Sequence, residues 1–208
     1  MRKTLLVFTA ALALSASGVA VVAQPTPAQP GQSDPSRVTA GTYAVEPSHT
    51  QILFAYNHMG FTENMGVLAM PGGTLTLDPK APEKAKVSIT LPVANIRTGI
   101  AALDSHLMKP DMFDAEKFPT ATFTSTSVKP DSDGKGAEIS GLLTIKGIAK
   151  PVTLDASFVG AGKNPMSGKE TVGFGATTTI KRSDFGLGAY VPVVGDAVEL
   201  KIVAAFEK

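Results

Sequence analysis

Apolar and polar residues alternate along most of the chain after residue 43. In the clearest case, Val87, Ile89 and Leu91 are separated by Ser88 and Thr90. Successive side chains of a β-strand point to opposite faces, so this pattern predicts a strand with one buried face. The same alternation occurs in seven other segments, at residues 52–56, 75–77, 121–123, 139–145, 152–158, 172–176 and 198–206.

Segments rich in glycine, proline and aspartate separate the predicted strands. They lie at residues 71–73, 78–79, 131–136, 146–147, 160–168 and 195–196, and such residues favour turns. The one helix-like stretch is residues 100–109, where Ile100, Leu103 and Leu107 recur at helical spacing before Pro110. About eight strands with little helix predict an all-β, antiparallel sandwich or barrel with one short helix. A closed barrel of this size is either filled by side chains or holds one small ligand. The alternation of apolar and polar residues is the same in both cases and does not distinguish them.

The first 23 residues have the composition of an export signal. Arg2 and Lys3 precede an apolar run at residues 5–16, and small residues at 21–23 form a cleavage site. Because the run is shorter than the roughly 20 residues of a membrane span, we predict a cleaved signal peptide (1–23) and no stable membrane insertion. Residues 24–37 contain four prolines and are predicted to be a disordered linker. The folded domain is then residues 38–208.

Composition excludes several classes of function. The chain has no cysteine, which excludes disulfides, thiolate catalysis and Cys-ligated zinc. Cleavage of the signal removes Arg2 and Lys3 and leaves 17 basic side chains against 18 acidic ones, a balance that does not favour nucleic acid as a partner. No phosphate-binding glycine loop or catalytic triad pattern is recognisable, so we predict neither catalytic residues nor a cofactor.

The alternation and the predicted helix also identify the apolar residues that face inward. They either line a lumen or pack as a solid core. These candidate lumen residues are Ile52, Phe54, Tyr56, Val87, Ile89, Leu91, Leu103, Leu107, Phe123, Leu143, Leu154, Phe174 and Leu200.

Three histidines and an arginine are the polar candidates. His49, His58 and His106 match no compact metal-binding spacing, and helical geometry turns Asp104 and His106 about 200° apart. We therefore predict no metal site. These histidines are expected either to form structural hydrogen bonds or to meet the polar end of a ligand. For Arg182 the alternatives are an ion pair at a strand end and contact with that polar end.

Four motifs spread over the whole domain support a more specific prediction. They are EPSHT at residues 46–50, LDSHL at 103–107, LTIKG at 143–147 and RSDFGL at 182–187. In this order they resemble the YceI-like family of lipocalin-like, polyisoprenoid-binding proteins. The chain departs from that family at Lys146, where many members carry a histidine, and at Arg97, where an acidic residue is expected.

This resemblance implies an elongated eight-stranded antiparallel barrel whose lumen accepts a long isoprenoid chain, in secreted or periplasmic bacterial proteins. We accordingly predict a periplasmic protein that sequesters or carries a polyisoprenoid or isoprenoid quinone, as a monomer or homodimer. Three alternatives stay open: a carrier of fatty acids or fatty amides, a metal-binding stress protein that uses the histidines, and a filled barrel that serves as an interaction module.

Overall fold

The computed structural model of the chain describes residues 29–208, so the predicted signal peptide and residues 24–28 of the predicted linker lie outside the described residues. The described part forms eleven strands and one α-helix, α1 (Ala101–Leu107). The strands are β1 (Gly41–Val45), β2 (Gln51–His58), β3 (Thr62–Ala69), β4 (Gly72–Leu77), β5 (Lys86–Pro92), β6 (Ile96–Arg97), β7 (Thr120–Pro130), β8 (Gly136–Ile145), β9 (Ile148–Lys163), β10 (Glu170–Lys181) and β11 (Val194–Glu207).

The eleven strands form eight barrel strands, because three of the eight are interrupted. A 3₁₀ turn divides β1 from β2 and β5 from β6, and residues 70–71 divide β3 from β4. All neighbouring strands are antiparallel, and β11 pairs with both β1 and β2, which closes the sheet. The structure thus confirms the prediction of an eight-stranded antiparallel barrel with one short helix.

The interruption between β1 and β2 keeps its hydrogen bonds to β11. The Glu46 N–H donates to the Ala205 carbonyl at 2.8 Å. The Thr50 hydroxyl donates to the same carbonyl at 3.2 Å and accepts from the Ala205 N–H at 3.0 Å. A side chain therefore replaces the missing backbone partner, and the barrel stays closed where its first strand bends.

The two ends of the barrel differ. At one end, which we call the helix end, α1 and a 3₁₀ turn at Arg182–Phe185 cover the interior. The opposite end, which we call the loop end, carries the β4–β5, β7–β8 and β9–β10 connections. A buried apolar cluster packs near the loop end and consists of Val38, Tyr43, Val45, Leu75, Ala161, Val172 and Phe206.

Part of the predicted linker is in contact with the barrel. Gln32 exchanges two backbone hydrogen bonds with Ala161 of β9, at 3.0 and 2.9 Å. Residues Pro35–Arg37 form a 3₁₀ turn, which Asp34 caps by accepting from the Ser36 N–H at 3.0 Å. The sequence predicts disorder up to residue 37, whereas the structure places residues 29–37 along the loop end. Backbone pairing explains the difference, because it needs no apolar side chain.

The buried side chain of Arg182 holds the backbone together at the helix end. Its side chain is buried, and its guanidinium donates to the carbonyls of Ala189, Val194 and Gly195 at 2.8 Å each and also to that of Leu187. Two carbonyls of the loop before β11 and two at the start of β11 thus share one cation. Burial of an arginine is favourable only when its donors are satisfied in this way.

Replacing Arg182 by methionine should strongly destabilise the barrel. The substitution keeps much of the apolar stem but leaves buried carbonyls without donors, so we expect the free energy of unfolding to fall by about 3 kcal/mol. Urea denaturation followed by far-UV circular dichroism measures this change. Lys181→Met, at the exposed neighbouring position, is the matched control and should change stability little; equal effects of both variants would contradict the role given to Arg182.

Candidate functional site

The barrel encloses a cavity of about 400 Å³. Alanines occupy wall positions on four adjacent strands: Ala137 on β8, Ala156 on β9, Ala176 on β10 and Ala204 on β11. Because an eight-stranded barrel is just wide enough for side chains to fill, small side chains at inward positions leave room inside. The interior is therefore a lumen along part of its length, and not a solid core throughout.

The wall of this lumen is almost entirely apolar. Its polar side chains include Thr50 and Thr178, and the hydroxyls of both donate to backbone carbonyls, at 3.2 Å to Ala205 and 2.8 Å to Thr153. No carboxylate lines the cavity among the described residues, and Lys135 is the one charged residue that does. Such a wall favours a ligand with an apolar body and offers few hydrogen bonds to its buried part.

The lumen ends toward the helix end at Phe123 and Leu143. Both side chains line the cavity and also belong to a buried cluster with Phe185 and Leu187, which do not line it. The ring of Phe123 lies directly over Gly141, where an added Cβ would come within 2.5 Å of it. This layer of side chains forms the closed floor of the lumen.

At the loop end the lining reaches exposed connections. The cavity is lined there by three connecting segments. They are the β4–β5 connection with Pro79 and Pro82, the β7–β8 turn with Gly134 and Lys135, and the segment before β1 with Pro35. Pro79, Gly134 and Lys135 are exposed to solvent. The loop end is thus the side from which a ligand would enter.

The candidate lumen residues divide into two groups. Those that line the cavity are Ile52, Val87, Ile89, Leu91, Phe123, Leu143, Leu154, Phe174 and Leu200. The remaining four, Phe54, Tyr56, Leu103 and Leu107, are not among the lining residues. Phe54 packs with Leu103 and Leu107 in the cluster under α1, and its ring stacks on Tyr56 with centroids 6.5 Å apart.

The histidines do not converge. His49 is exposed, and its Nδ1 lies 2.5 Å from Glu46 Oε2. His106 Nε2 lies 2.9 Å from Asp111 Oδ2, and its ring meets that of Tyr190 edge-on, with centroids 6.1 Å apart. His58 pairs with β11 at the end of β2. None of the three lines the cavity, and in residues 29–208 no three His, Cys, Asp or Glu side chains are grouped as a metal site requires.

Arg182 also lies away from the cavity lining. The carbonyls described above bind its guanidinium, so the ion pair or ligand contact expected for it is replaced by a structural role at the helix end.

The alternation of apolar residues does not identify the residues that line the cavity at the loop end. Pro35, Val38, Pro79, Pro82 and Pro130 line the cavity there, but proline in a turn is a signal for chain reversal, not for a binding wall. The inward alanines of β9, β10 and β11 were recognisable, since they continue the alternation of their strands.

Asp104 lies in α1 and accepts hydrogen bonds from the loop that precedes the helix. The Thr98 hydroxyl and N–H donate to Asp104 Oδ1 at 2.6 and 2.7 Å, and these hydrogen bonds hold the pKa of Asp104 below its ordinary value. The carboxylate therefore joins the end of β6 to the start of α1, and it does not pair with His106.

The closed antiparallel barrel with an apolar lumen places the molecule in the lipocalin-like class of barrels. The chain belongs to the YceI-like family, since the family model described as YceI-like domain matches residues 43–206. It is 36% identical over 202 residues to Protein YceI of Salmonella arizonae, which covers 97% of this chain and 96% of that protein.

Two solved structures are similar to this barrel. BcnA of Burkholderia cenocepacia is 26% identical with a TM-score of 0.67, covering 75% of this chain and 95% of that one. The YCEI protein of Campylobacter jejuni is 30% identical with a TM-score of 0.65, covering 73% and 89%. In the described part of the chain, no helix is long and apolar enough to cross a membrane.

The titration of Asp104 tests its contact with Thr98. We expect its carboxyl to titrate below the ordinary aspartate pKa of about 3.9. The ionised Asp104 carboxylate accepts the hydrogen bonds from Thr98. The stability that these bonds give the folded protein is therefore present at neutral pH and is lost as the pH falls through the lowered pKa. NMR titration should give one shared midpoint for the Asp104 carboxyl carbon and the Thr98 amide. Thr98→Val should raise that midpoint toward the ordinary value; a midpoint at the ordinary value in the parent would contradict the assignment.

Proposed function

We propose that this chain is an exported lipid-binding protein that holds a long isoprenoid chain in its lumen and shields it from water. The observation that carries the proposal is the apolar cavity of about 400 Å³. Buried side chains end it toward the helix end, and its lining residues extend to the exposed loop end. Membership of the YceI-like family supports it, because the resemblance found in the sequence implies this class of ligand.

The cavity volume is enough for substantial affinity. At about 30 Å³ for each water-sized group, 400 Å³ holds on the order of a dozen carbon atoms. Burial of a methylene contributes about 0.8 kcal/mol, so such a chain gains roughly 10 kcal/mol before the costs of association. A longer polyisoprenoid would extend past the loop end, and only its inner part would be enclosed.

The polar end of the ligand belongs at the loop end. The hydroxyls of Thr50 and Thr178 are already bonded to carbonyls, so a head group buried near them would lose its hydrogen bonds to water. At the loop end a quinone or alcohol head would remain hydrated. The proposed cargo is therefore an isoprenoid alcohol or quinone that enters tail first.

A fatty acid is the second candidate. Lys135 lines the cavity at the exposed β7–β8 turn, where its ammonium group would attract a carboxylate head. The same apolar wall accepts an acyl chain, so the head group alone separates the two ligands.

Binding, rather than catalysis, is the role that the side chains support. The histidines lie away from the cavity lining and apart from one another. The deep wall presents aliphatic and aromatic groups, which take no part in proton transfer or nucleophilic attack. We further propose that the protein acts in the periplasm, as its first 23 residues predict, and as a monomer, since a closed barrel leaves few free strand edges.

Lipid recovered with the protein tests the proposal. Protein purified from the periplasm without detergent should release a stoichiometric isoprenoid on organic extraction, and native mass spectrometry should show the matching mass. Recovery of a fatty acid instead would establish the second candidate. A protein without any lipid, and without affinity for one, would contradict both.

A variant that fills the lumen provides the residue-level test. Ala176 lines the cavity, whereas its neighbour Thr177 is exposed on the outer face of β10. An indole at position 176 competes with the ligand for space, so Ala176→Trp should lower lipid content by about tenfold or more. Thr177→Trp is the matched control and should keep the parent content. If folded Ala176→Trp retains full lipid, the ligand does not occupy this cavity.

A further inference from the structure

Strand β9 is longer than its neighbour β8, and this difference leaves a free strand edge at the loop end. The pairing of β8 with β9 begins at Gly136 opposite Ser157, but β9 continues to Lys163. On the other side, β10 pairs with β9 as far as Lys163. The Phe158 N–H still donates to the Lys135 carbonyl at 2.8 Å, so residues 159–163 of β9 have a barrel strand on one side only.

The segment before β1, residues 29–38, which we call the arm, occupies this edge. The Gln32 N–H donates to the Ala161 carbonyl at 3.0 Å, and the Ala161 N–H donates to the Gln32 carbonyl at 2.9 Å. This is the pairing by which an added strand extends a sheet. Here the added segment comes from the same chain.

Two glycines flank the pairing site and leave space for the arm. A Cβ added at Gly162 would lie 2.1 Å from the Pro30 carbonyl oxygen, and one added at Gly160 would lie 3.1 Å from that of Gln32. Neither glycine has a positive φ, so the backbone conformation does not demand glycine. The close approach of the arm is what excludes a side chain at Gly162.

The arm is also a wall of the lumen. Pro35 and Val38 line the cavity at the loop end. Val38 is 8% exposed and packs against the apolar cluster at that end, whereas Gln32 and the residues around it are exposed. The arm thus has a buried anchor at Val38 and an exposed attachment at Gln32, with Pro35 between them at the cavity.

We propose that the arm is a strap across the loop end of the lumen, and that Gln32 must separate from Ala161 for a lipid to enter or leave. The attachment consists of two backbone hydrogen bonds, each of modest net strength in water, while the anchor remains in the core. Separation at Gln32 moves Pro35 away from the lumen without unfolding the barrel. This proposal rests on the proposed lipid-binding function.

Two pairs of variants test the strap, each with a matched control. Gln32→Pro removes the N–H that donates to Ala161, whereas Gln32→Ala keeps it. Gly162→Ala places a Cβ against the Pro30 carbonyl, whereas Gly173→Ala on β10 meets nothing closer than 3.8 Å. Gln32 lies in the exposed arm, so its replacement leaves the barrel core unchanged.

The measurement is the release rate of 1-aminoanthracene, a fluorescent apolar probe, after rapid mixing with excess farnesol. Loss of a hydrogen bond of ordinary strength should accelerate release by about threefold or more in Gln32→Pro and Gly162→Ala. The two controls should release the probe at the parent rate. Hydrogen exchange at the Ala161 amide, measured on the same samples, should be faster in the first two variants alone.

The outcomes separate the strap from the proposed function. Faster exchange at Ala161 with an unchanged release rate would show that the arm detaches without controlling the lumen, and would overturn the strap while lipid binding stands. A parent protein that binds neither probe nor farnesol would contradict the lipid-binding function itself, and the strap with it.

Discussion

Closure of the sheet is the constraint on which the rest of the molecule depends. Strand β11 must pair with a first strand that bends between β1 and β2, and the bend falls opposite Ala205. The hydroxyl of Thr50 both donates to and accepts from Ala205, so hydrogen bonding continues across the bend. Because all eight barrel strands are paired, the interior diameter is set by strand number, and only side-chain size decides what space remains.

The distribution of side-chain size along the barrel axis creates the lumen. Phe123 and Phe185 pack at the floor near the helix end, and Tyr43 and Phe206 pack near the loop end. Alanines line the wall on β9, β10 and β11. Since a void without polar groups stays dry and favours apolar ligands, this arrangement suits a hydrocarbon chain better than a solvated metabolite.

The sequence predicts which face of each strand points inward, but it does not predict how far along the barrel axis a residue lies. Phe54 and Tyr56 are in phase with Ile52, yet neither lines the lumen: Phe54 packs in the cluster under α1, and Tyr56 stacks on the ring of Phe54. An irregularity between Ser125 and Ser127 shifts the register of β7, so Val128 lines the cavity although it is out of phase with Phe123. Alternation predicts neither the position of a residue along the barrel axis nor a bulge. The axial position depends on the stagger between strands, and a bulge depends on the partner strand.

The arm shows why composition misses a segment that pairs through its backbone. Its prolines and polar residues predict disorder, but Gln32 pairs with β9 through its backbone N–H and carbonyl, and this pairing does not depend on the side chain. Likewise Gly160 and Gly162 have the appearance of turn residues and lie instead within β9, beneath the arm. Strand β8 is shorter than β9, and this difference has two consequences. The barrel wall is shorter at the β7–β8 turn, and there the lumen reaches solvent. The edge of β9 beyond β8 is free to pair with the arm, which therefore lies beside that opening.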